Sequence, residues 1–389
     1  MTALARHTPA RTLTVCGGAH ALHDGFTDLL NVLYPLLQAQ FGLSYAAIGA
    51  LKAVHSGAMA SGQIPSGWLA GRLGGVAVLA AGTGVVALGY GLAGFAGSLW
   101  GVVIGLFLVG LGGSTQHPIA SSLVASAYAG LRSRVALGTY NFAGDLGKVA
   151  LPASFALVAA VLGWQQALVV VAALAIAGAG VILLTLRPAG GAGSAARKET
   201  EIQGQDRPWA FWLLFSIHIS DGLVRTGFLV FLPFLMQQKG ADLPTIGLSL
   251  SLLFAGGAAG KLVMGRVGEW LGVVKSVVLT EAATTALILA LLPLPLLSAL
   301  ILLPLVGLML NGTSSVLYGT VPEFVAPEKR THAFAVFYTG GSVEGAVGPL
   351  LFGLLGDAIG LVPTVAVVAC VALVTVPMVL ALRPAFREG

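Results

Sequence analysis

Residues 20–67 read HALHDGFTDLLNVLYPLLQAQFGLSYAAIGALKAVHSGAMASGQIPSG, and residues 218–265 read HISDGLVRTGFLVFLPFLMQQKGADLPTIGLSLSLLFAGGAAGKLVMG. A constant shift of 198 sets His20 on His218, Pro35 on Pro233, Ile48-Gly49 on Ile246-Gly247, Gly62 on Gly260 and Gly67 on Gly265, with no gap. A shift of 197 then sets Val109-Gly110-Leu111 on Val306-Gly307-Leu308, Pro152 on Pro349, and Arg132-Ser133-Arg134 against Lys329-Arg330-Thr331. Two nearly equal offsets that keep the same order mark an internal duplication. A parallel repeat of this length in an apolar chain is a transporter arrangement, with substrate held near the bilayer midplane.

Composition supports that reading. Of 389 residues, 57% are hydrophobic and only 9% are Asp, Glu, Lys or Arg, against about 25% charged in an ordinary soluble domain. So few charged groups cannot cover a water-exposed surface. A soluble enzyme, a nucleic-acid binder and a disordered chain are excluded. The net charge of +5 sits in short loops, so no nucleic-acid partner is implied. Cys16 and Cys370 fall in opposite terminal apolar segments, which leaves no disulfide framework or metal spacing. His20, His23, Asp24 and Asp28 interrupt the first apolar stretch, so it is expected to be retained rather than cleaved as a signal peptide.

Apolar runs of membrane-crossing length predict twelve spans: 14–38, 45–70, 76–96, 99–128, 134–161, 165–186, 209–237, 243–268, 273–293, 296–323, 331–357 and 361–382. The fold expected is an all-α membrane protein of twelve transmembrane helices in two pseudo-twofold related six-helix halves. The halves are residues 1–186 and 209–389. A charged, Gly- and Ala-rich linker, 187–208, joins them. Arg6, Arg11, Arg72, Arg132, Arg134, the linker cluster, Lys275, Lys329, Arg330, Arg383 and Arg387 all fall on one side, and Lys239 nearly alone on the other. The excess of basic residues places both termini in the cytoplasm of a bacterial inner membrane.

Gly67-Trp68-Leu69-Ala70-Gly71-Arg72-Leu73-Gly74 resembles the Gly-x-x-x-Asp-Arg-x-Gly loop of the major facilitator superfamily, with Gly71 at the acidic position. Its counterpart, Gly265 to Gly272, keeps an acid at Glu269 and loses the basic residue. Within that superfamily, His20 to Pro35, Gln116-His117-Pro118, and Gly144-Asp145-Leu146-Gly147 with Pro152 resemble the fosmidomycin-resistance type. The resemblance implies a major facilitator fold and proton-driven export of a small, drug-like or anionic compound, hence drug resistance. It also implies that the third, sixth, ninth and twelfth helices face lipid or scaffold, which makes Glu281 structural.

Ionisable groups at membrane depth are costly and mark function. His20, Asp24, Asp28 and Asn31 follow 4, 4, 3 spacing, one stripe of the first helix. At roughly 1.5 Å per residue Asp24 and Asp28 lie about 15–21 Å from the cytoplasmic end. Asp24, Asp28, Asp145 and Glu344 are the proton-coupling candidates. His20, Lys52, His55, His117, Tyr140, Asn141, Lys148, Asp221 and Arg225 are the substrate-binding candidates. Lys52 and His55 share a face at i and i+3. Asp145 and Lys148 at i, i+3 and Asp221 and Arg225 at i, i+4 can pair. Pro118 is expected to open the fourth helix beside His117. Arg225 suits a carboxylate or phosphonate because its planar fork binds two oxygens at once. Lys261, near the cytoplasmic end, is expected to snorkel.

No nucleotide-binding loop or zinc motif occurs, so no cofactor is expected and the chain reads as no enzyme. The partners expected are a small-molecule substrate, H⁺ and the lipid bilayer, with the protein a monomer. Proton and substrate would act on one charge network, each favouring a different state. The alternatives are a proton-coupled symporter that takes up an organic anion and, of another class, a membrane sensor on a transporter scaffold.

Overall fold

The computed structural model describes residues 8–128, 131–186, 206–326 and 329–386. The expected linker, apart from its last residues, lies outside them, as do Arg6, Arg197, Lys198 and Arg387. Fourteen α-helices appear among the described residues, and no strand. In chain order α1 is Pro9–Phe41, α2 Tyr45–Leu73, α3 Gly75–Phe95, α4 Leu99–Gly113, α5 Gln116–Ala127, α6 Leu131–Leu162 and α7 Trp164–Thr185. Then come α8 Pro208–Gln238, α9 Leu243–Leu271, α10 Val273–Leu291, α11 Leu296–Thr320, α12 Arg330–Ile359, α13 Leu361–Val371 and α14 Thr375–Leu382. The pairs α4–α5 and α13–α14 each continue one rod, so the rods number twelve, as the apolar runs require. Ten of them are long and apolar enough to cross a membrane. The other two, α1 and α2, have 33 and 29 residues, ample length at about 1.5 Å per residue. They instead carry buried ionisable groups, including His20, Asp24, Asp28, Lys52 and His55.

The fourth rod breaks upstream of the proline expected to open it. α4 ends at Gly113 and α5 begins at Gln116. Pro118 therefore sits in the first turn of α5, where its missing N–H costs nothing. Side-chain hydroxyls take up the carbonyls at the break: Ser114 Oγ donates to Leu111 O at 2.6 Å, Thr115 Oγ1 to Gly112 O at 3.0 Å, and Ser66 Oγ to Ser114 O at 3.3 Å. In the last rod a 3₁₀ turn, Ala372–Val374, precedes Pro377.

Turns between rods rest on glycines with positive φ, a conformation a side chain would strain. Gly42 and Gly240, and Gly74 and Gly272, stand 198 apart, and Gly163 and Gly360 stand 197 apart. The offsets seen in the helices thus recur at the corners. Asp242 caps α9, accepting from Thr245 N at 2.9 Å. Lys239 Nζ donates to Leu292 O and Leu294 O at 2.7 and 2.6 Å, closing the end of α10.

The chain divides into two compact units, one within Met1–Leu33 and Val54–Arg197, the other within Tyr34–Ala53 and Lys198–Gly389. Each has its own apolar core: Cys16, Leu79, Ala120 and Ile182 belong to the first, and Leu214, Leu317, Phe337 and Val379 to the second. Glycines let helices touch main chain to main chain. A Cβ on Gly110 would lie 2.2 Å from His55 O. On Gly307 it would lie 1.9 Å from Leu253 O, the position 198 residues on from His55. Gly256 and Gly260 meet Pro304 O and Leu308 O in the same way, so α9 and α11 share a seam of bare backbone. In the second unit Asp357 accepts from Tyr45 N at 2.7 Å and Ala46 N at 3.0 Å, capping α2 with a carboxylate. Exposed Phe95, Trp100, Val161, Leu184, Trp270 and Ile301 give the outer surface the apolar character that lipid requires.

Candidate functional site

In the first unit the 4, 4, 3 stripe of α1 faces α6, and two glycines allow the approach. A Cβ on Gly147 would sit 1.9 Å from Ala21 O, and one on Gly144 would sit 2.8 Å from Asp24 Oδ2. Lys148, next to Gly147, thereby reaches α1. Its Nζ lies 3.3 Å from Asp24 Oδ2 and 4.0 Å from Asp28 Oδ2. Asn31 Nδ2 donates to Asp28 Oδ1 at 3.4 Å. Lys148 therefore makes ion pairs across helices to α1, and Asp145, also buried, adds its field as a third carboxylate.

His20 ties the cluster together. Its ring stacks on Tyr140 with centroids 4.1 Å apart, and its Nδ1 lies 2.9 Å from Tyr140 O. A carbonyl only accepts, so Nδ1 carries a proton toward it. Nε2 then faces Asp24 Oδ1 at 3.3 Å. That contact is favourable only with a second proton, on Nε2 or on Asp24. His117, from α5, brings its Nε2 to 3.8 Å from the same oxygen and is half-exposed. Its ring meets His20 and His23 edge-on at 5.2 and 5.0 Å. His20, Asp24 and His117 each bring one ligand atom within 4.8 Å of the others. A divalent ion there would sit beside the Lys148 ammonium, which disfavours it electrostatically. Asn141 is exposed on α6. Lys52 and His55 are both buried on α2, and the boundary between the units falls between them.

In the second unit Arg225 Nη2 donates to Glu344 Oε1 at 2.9 Å. Gly222 makes the room: a Cβ there would lie 1.7 Å from the Glu344 carboxyl carbon. Asp221, one turn before Arg225, adds its field to that of Glu344. His218 stacks on Phe337 at 4.9 Å and meets Tyr318 edge-on at 5.2 Å. Glu281, buried on α10, adds its charge to that of Asp221, and beside it Thr313 Oγ1 donates to Thr280 Oγ1 at 2.7 Å. From sequence it reads as scaffold, by its place in the ninth span. A signal was present in its run Thr280-Glu281 followed by Thr284-Thr285, a polar patch inside an apolar helix.

Each unit therefore holds one cation ringed by carboxylates: Lys148 with Asp24 and Asp28, Arg225 with Glu344 and Asp221. Intramembrane charges so arranged are the mark of a transport protein. The sequence pattern described as Major Facilitator Superfamily matches residues 17–219 and again 214–388. The chain belongs to the major facilitator superfamily. It is a multi-pass membrane transporter and not an enzyme.

Among relatives, the "Probable sulfoacetate transporter SauU" of Cupriavidus necator is 26% identical over 366 residues, covering 85% of this chain and 83% of the relative. A bacterial homolog of the human lysosomal transporter Spinster, solved inward-facing and unoccupied, superposes with a TM-score of 0.83 at 17% identity, covering 99% of this chain and 98% of that one. The nucleoside transporter NupG gives a TM-score of 0.77 at 15% identity, covering 97% and 100%. At these identities the structural likeness concerns the fold.

Proposed function

We propose that this protein is a proton-coupled secondary transporter of a small organic anion, working by alternating access, and that proton and anion travel together. One observation carries the reading. Lys148 and Arg225 keep 28% and 21% of their side chains exposed, while the carboxylates they hold, Asp24 and Glu344, keep 11% and 1%. The cations have a free side and their partners do not. An anion arriving at Lys148 competes with Asp24 for it. Protonating Asp24 removes the competitor, so proton and anion stabilise the same state. Linkage is reciprocal, and positive linkage produces cotransport. Antiport requires the two ligands to exclude each other.

The substrate class follows from the donors. A planar guanidinium and an ammonium suit carboxylate, phosphonate or sulfonate oxygens. Sulfoacetate, named for the C. necator relative, is an anion of this class. Arg72, Lys275, Lys329 and Arg330 belong to the side that the basic excess assigns to the cytoplasm. The recurrent turn glycines support six-helix halves at 1–186 and 209–389.

Drug export of the fosmidomycin-resistance type is the second reading, favoured by the motifs around His20, His117 and Asp145. One assay separates the two. Purified protein in proteoliposomes is given labelled sulfoacetate, a phosphonate or a plain carboxylate under an imposed pH gradient. Cotransport predicts accumulation on the alkaline side, lost on collapsing the gradient. Accumulation on the acidic side supports antiport. No pH-driven flux of any of the three anions refutes the anion reading.

A further inference from the structure

We propose that His20 is the proton-bearing residue of the first unit, taking a proton on Nε2 so that Asp24 changes its partner from Lys148 to His20. The tautomer comes first. Nδ1 lies 2.9 Å from Tyr140 O, and a carbonyl has no proton to give, so Nδ1 carries its own whether or not Nε2 is loaded. The stack on Tyr140, with centroids 4.1 Å apart, holds the ring in that direction. Nε2 is left as the site that gains and loses a proton. It is buried, has no hydrogen-bond partner among the described residues, and lies 3.3 Å from Asp24 Oδ1. Gly144 supplies the room for this meeting. A Cβ there would lie 2.7 Å from His20 Cε1, 2.9 Å from Nε2 and 2.8 Å from Asp24 Oδ2.

The two oxygens of Asp24 have different neighbours. Oδ1 faces His20, and Oδ2 faces Lys148 Nζ at 3.3 Å. The carboxylate can therefore pass from one cation to the other without leaving its seat. With Nε2 bare, Lys148 is the counterion of Asp24. When water delivers a proton to Nε2, the new N–H donates to Oδ1 in a charge-assisted hydrogen bond, and Lys148 is released toward its exposed side. Returning the proton to water restores the first pairing. Around the pair stand His23 and Asp28 on α1, Tyr140, Asp145 and Lys148 on α6, and His117 on α5. In that group three carboxylates, Asp24, Asp28 and Asp145, meet one permanent cation, Lys148. An arriving anion deepens the excess of negative charge, and one proton on His20 offsets one unit of it. His117 nears the same oxygen only at 3.8 Å and is half-exposed, so water can serve it. The link to the anion rests on the function proposed above. The proton site does not.

The test is solid-state NMR of the full-length protein in lipid, with ¹³C-labelled alanine and aspartate and ¹⁵N-labelled histidine. Ala19-His20 is the one Ala-His pair in the sequence, which assigns the signals. At high pH the neutral ring should carry its proton on Nδ1, the opposite of the form that free histidine prefers. On acidification Nε2 should gain a proton that lies close to the Asp24 carboxyl carbon. A neutral ring protonated on Nε2, or a ring that gains no proton before the protein unfolds, overturns the proposal. A second arm measures labelled sulfoacetate in proteoliposomes. His20→Asn keeps an N–H for Tyr140 O and has nothing to titrate. It should retain counterflow exchange but lose about tenfold or more of the accumulation driven by a pH gradient. Undiminished accumulation also overturns the proposal. If His20→Asn does not fold, the wild-type spectra decide. A loaded Nε2 beside Asp24 together with no anion flux would sink the proposed function and leave the proton site standing.

Discussion

Replacing Gly222 by Ala inserts one methyl group into the space of the Glu344 carboxyl, whose carbon and nearer oxygen would each be 1.7 Å from the new Cβ. Neither group has slack, because Glu344 is 1% exposed at its side chain and hydrogen-bonded to Arg225 at 2.9 Å. The carboxyl must leave its seat, and the bond to Arg225 goes with it. Breaking a buried ion pair costs about 3–5 kcal/mol. Alanine in place of glycine inside a helix returns about 1 kcal/mol. The net expectation is a loss of about 2–4 kcal/mol. The assay is a double-mutant cycle on purified protein, scored by reversible unfolding. Gly222→Ala alone should destabilise. In a Glu344→Ala background, where nothing occupies that space, the same substitution should be neutral or stabilising. Equal destabilisation in both backgrounds, or none in the wild type, would refute the packing argument.

Three further expectations concern the charges. Lys148→Ala leaves Asp24 ionised and nearly buried without its cation, and should destabilise by about 2–3 kcal/mol, a buried-pair cost reduced for the exposure of Lys148; adding Asp24→Asn should restore most of it, and a double variant no better than the single would contradict the pairing. Arg225→Lys keeps the charge but loses the planar fork, so sulfoacetate affinity measured by thermal shift should fall at least tenfold, and unchanged affinity removes Arg225 from the site. Asp242, in the loop before α9, has its carboxyl held below the usual value by the Thr245 hydroxyl and N–H. A lowered folded value means the cap contributes above the ordinary carboxylate range and is lost as pH falls through it. Hydrogen exchange at Thr245 N–H should then lose protection on acidification in the wild type but not in Asp242→Asn, with equal loss in both ruling the cap out.

Much of this architecture is written in local patterns. Hydropathy marks ten of the twelve rods because lipid leaves a span little choice but an apolar helix, and the repeat in 20–67 and 218–265 orders them. The stripe His20, Asp24, Asp28 is legible because helical spacing alone puts it on one face. What local spacing cannot show is which helix lies opposite. Asp145 and Lys148 are neighbours at i, i+3, and Lys148 also makes ion pairs with Asp24 and Asp28 because Gly144 and Gly147 bring α6 against α1. Glu281 reads as scaffold from its place in the ninth span, and only in three dimensions does its charge bear on Asp221. The break in the fourth rod was expected at Pro118. It falls at Ser114-Thr115, where hydroxyl groups can absorb the released carbonyls.

The bare-backbone contact between α9 and α11 has a mechanical side. Where Gly256, Gly260 and Gly307 press on carbonyl oxygens, no rotamers stand ready to reshuffle, and sliding would drive peptide groups into each other. These two helices should move as a single beam through any working cycle. The give in the machine then belongs to places like the hinge of hydroxyls between α4 and α5, where a helix has already let go of its own ladder.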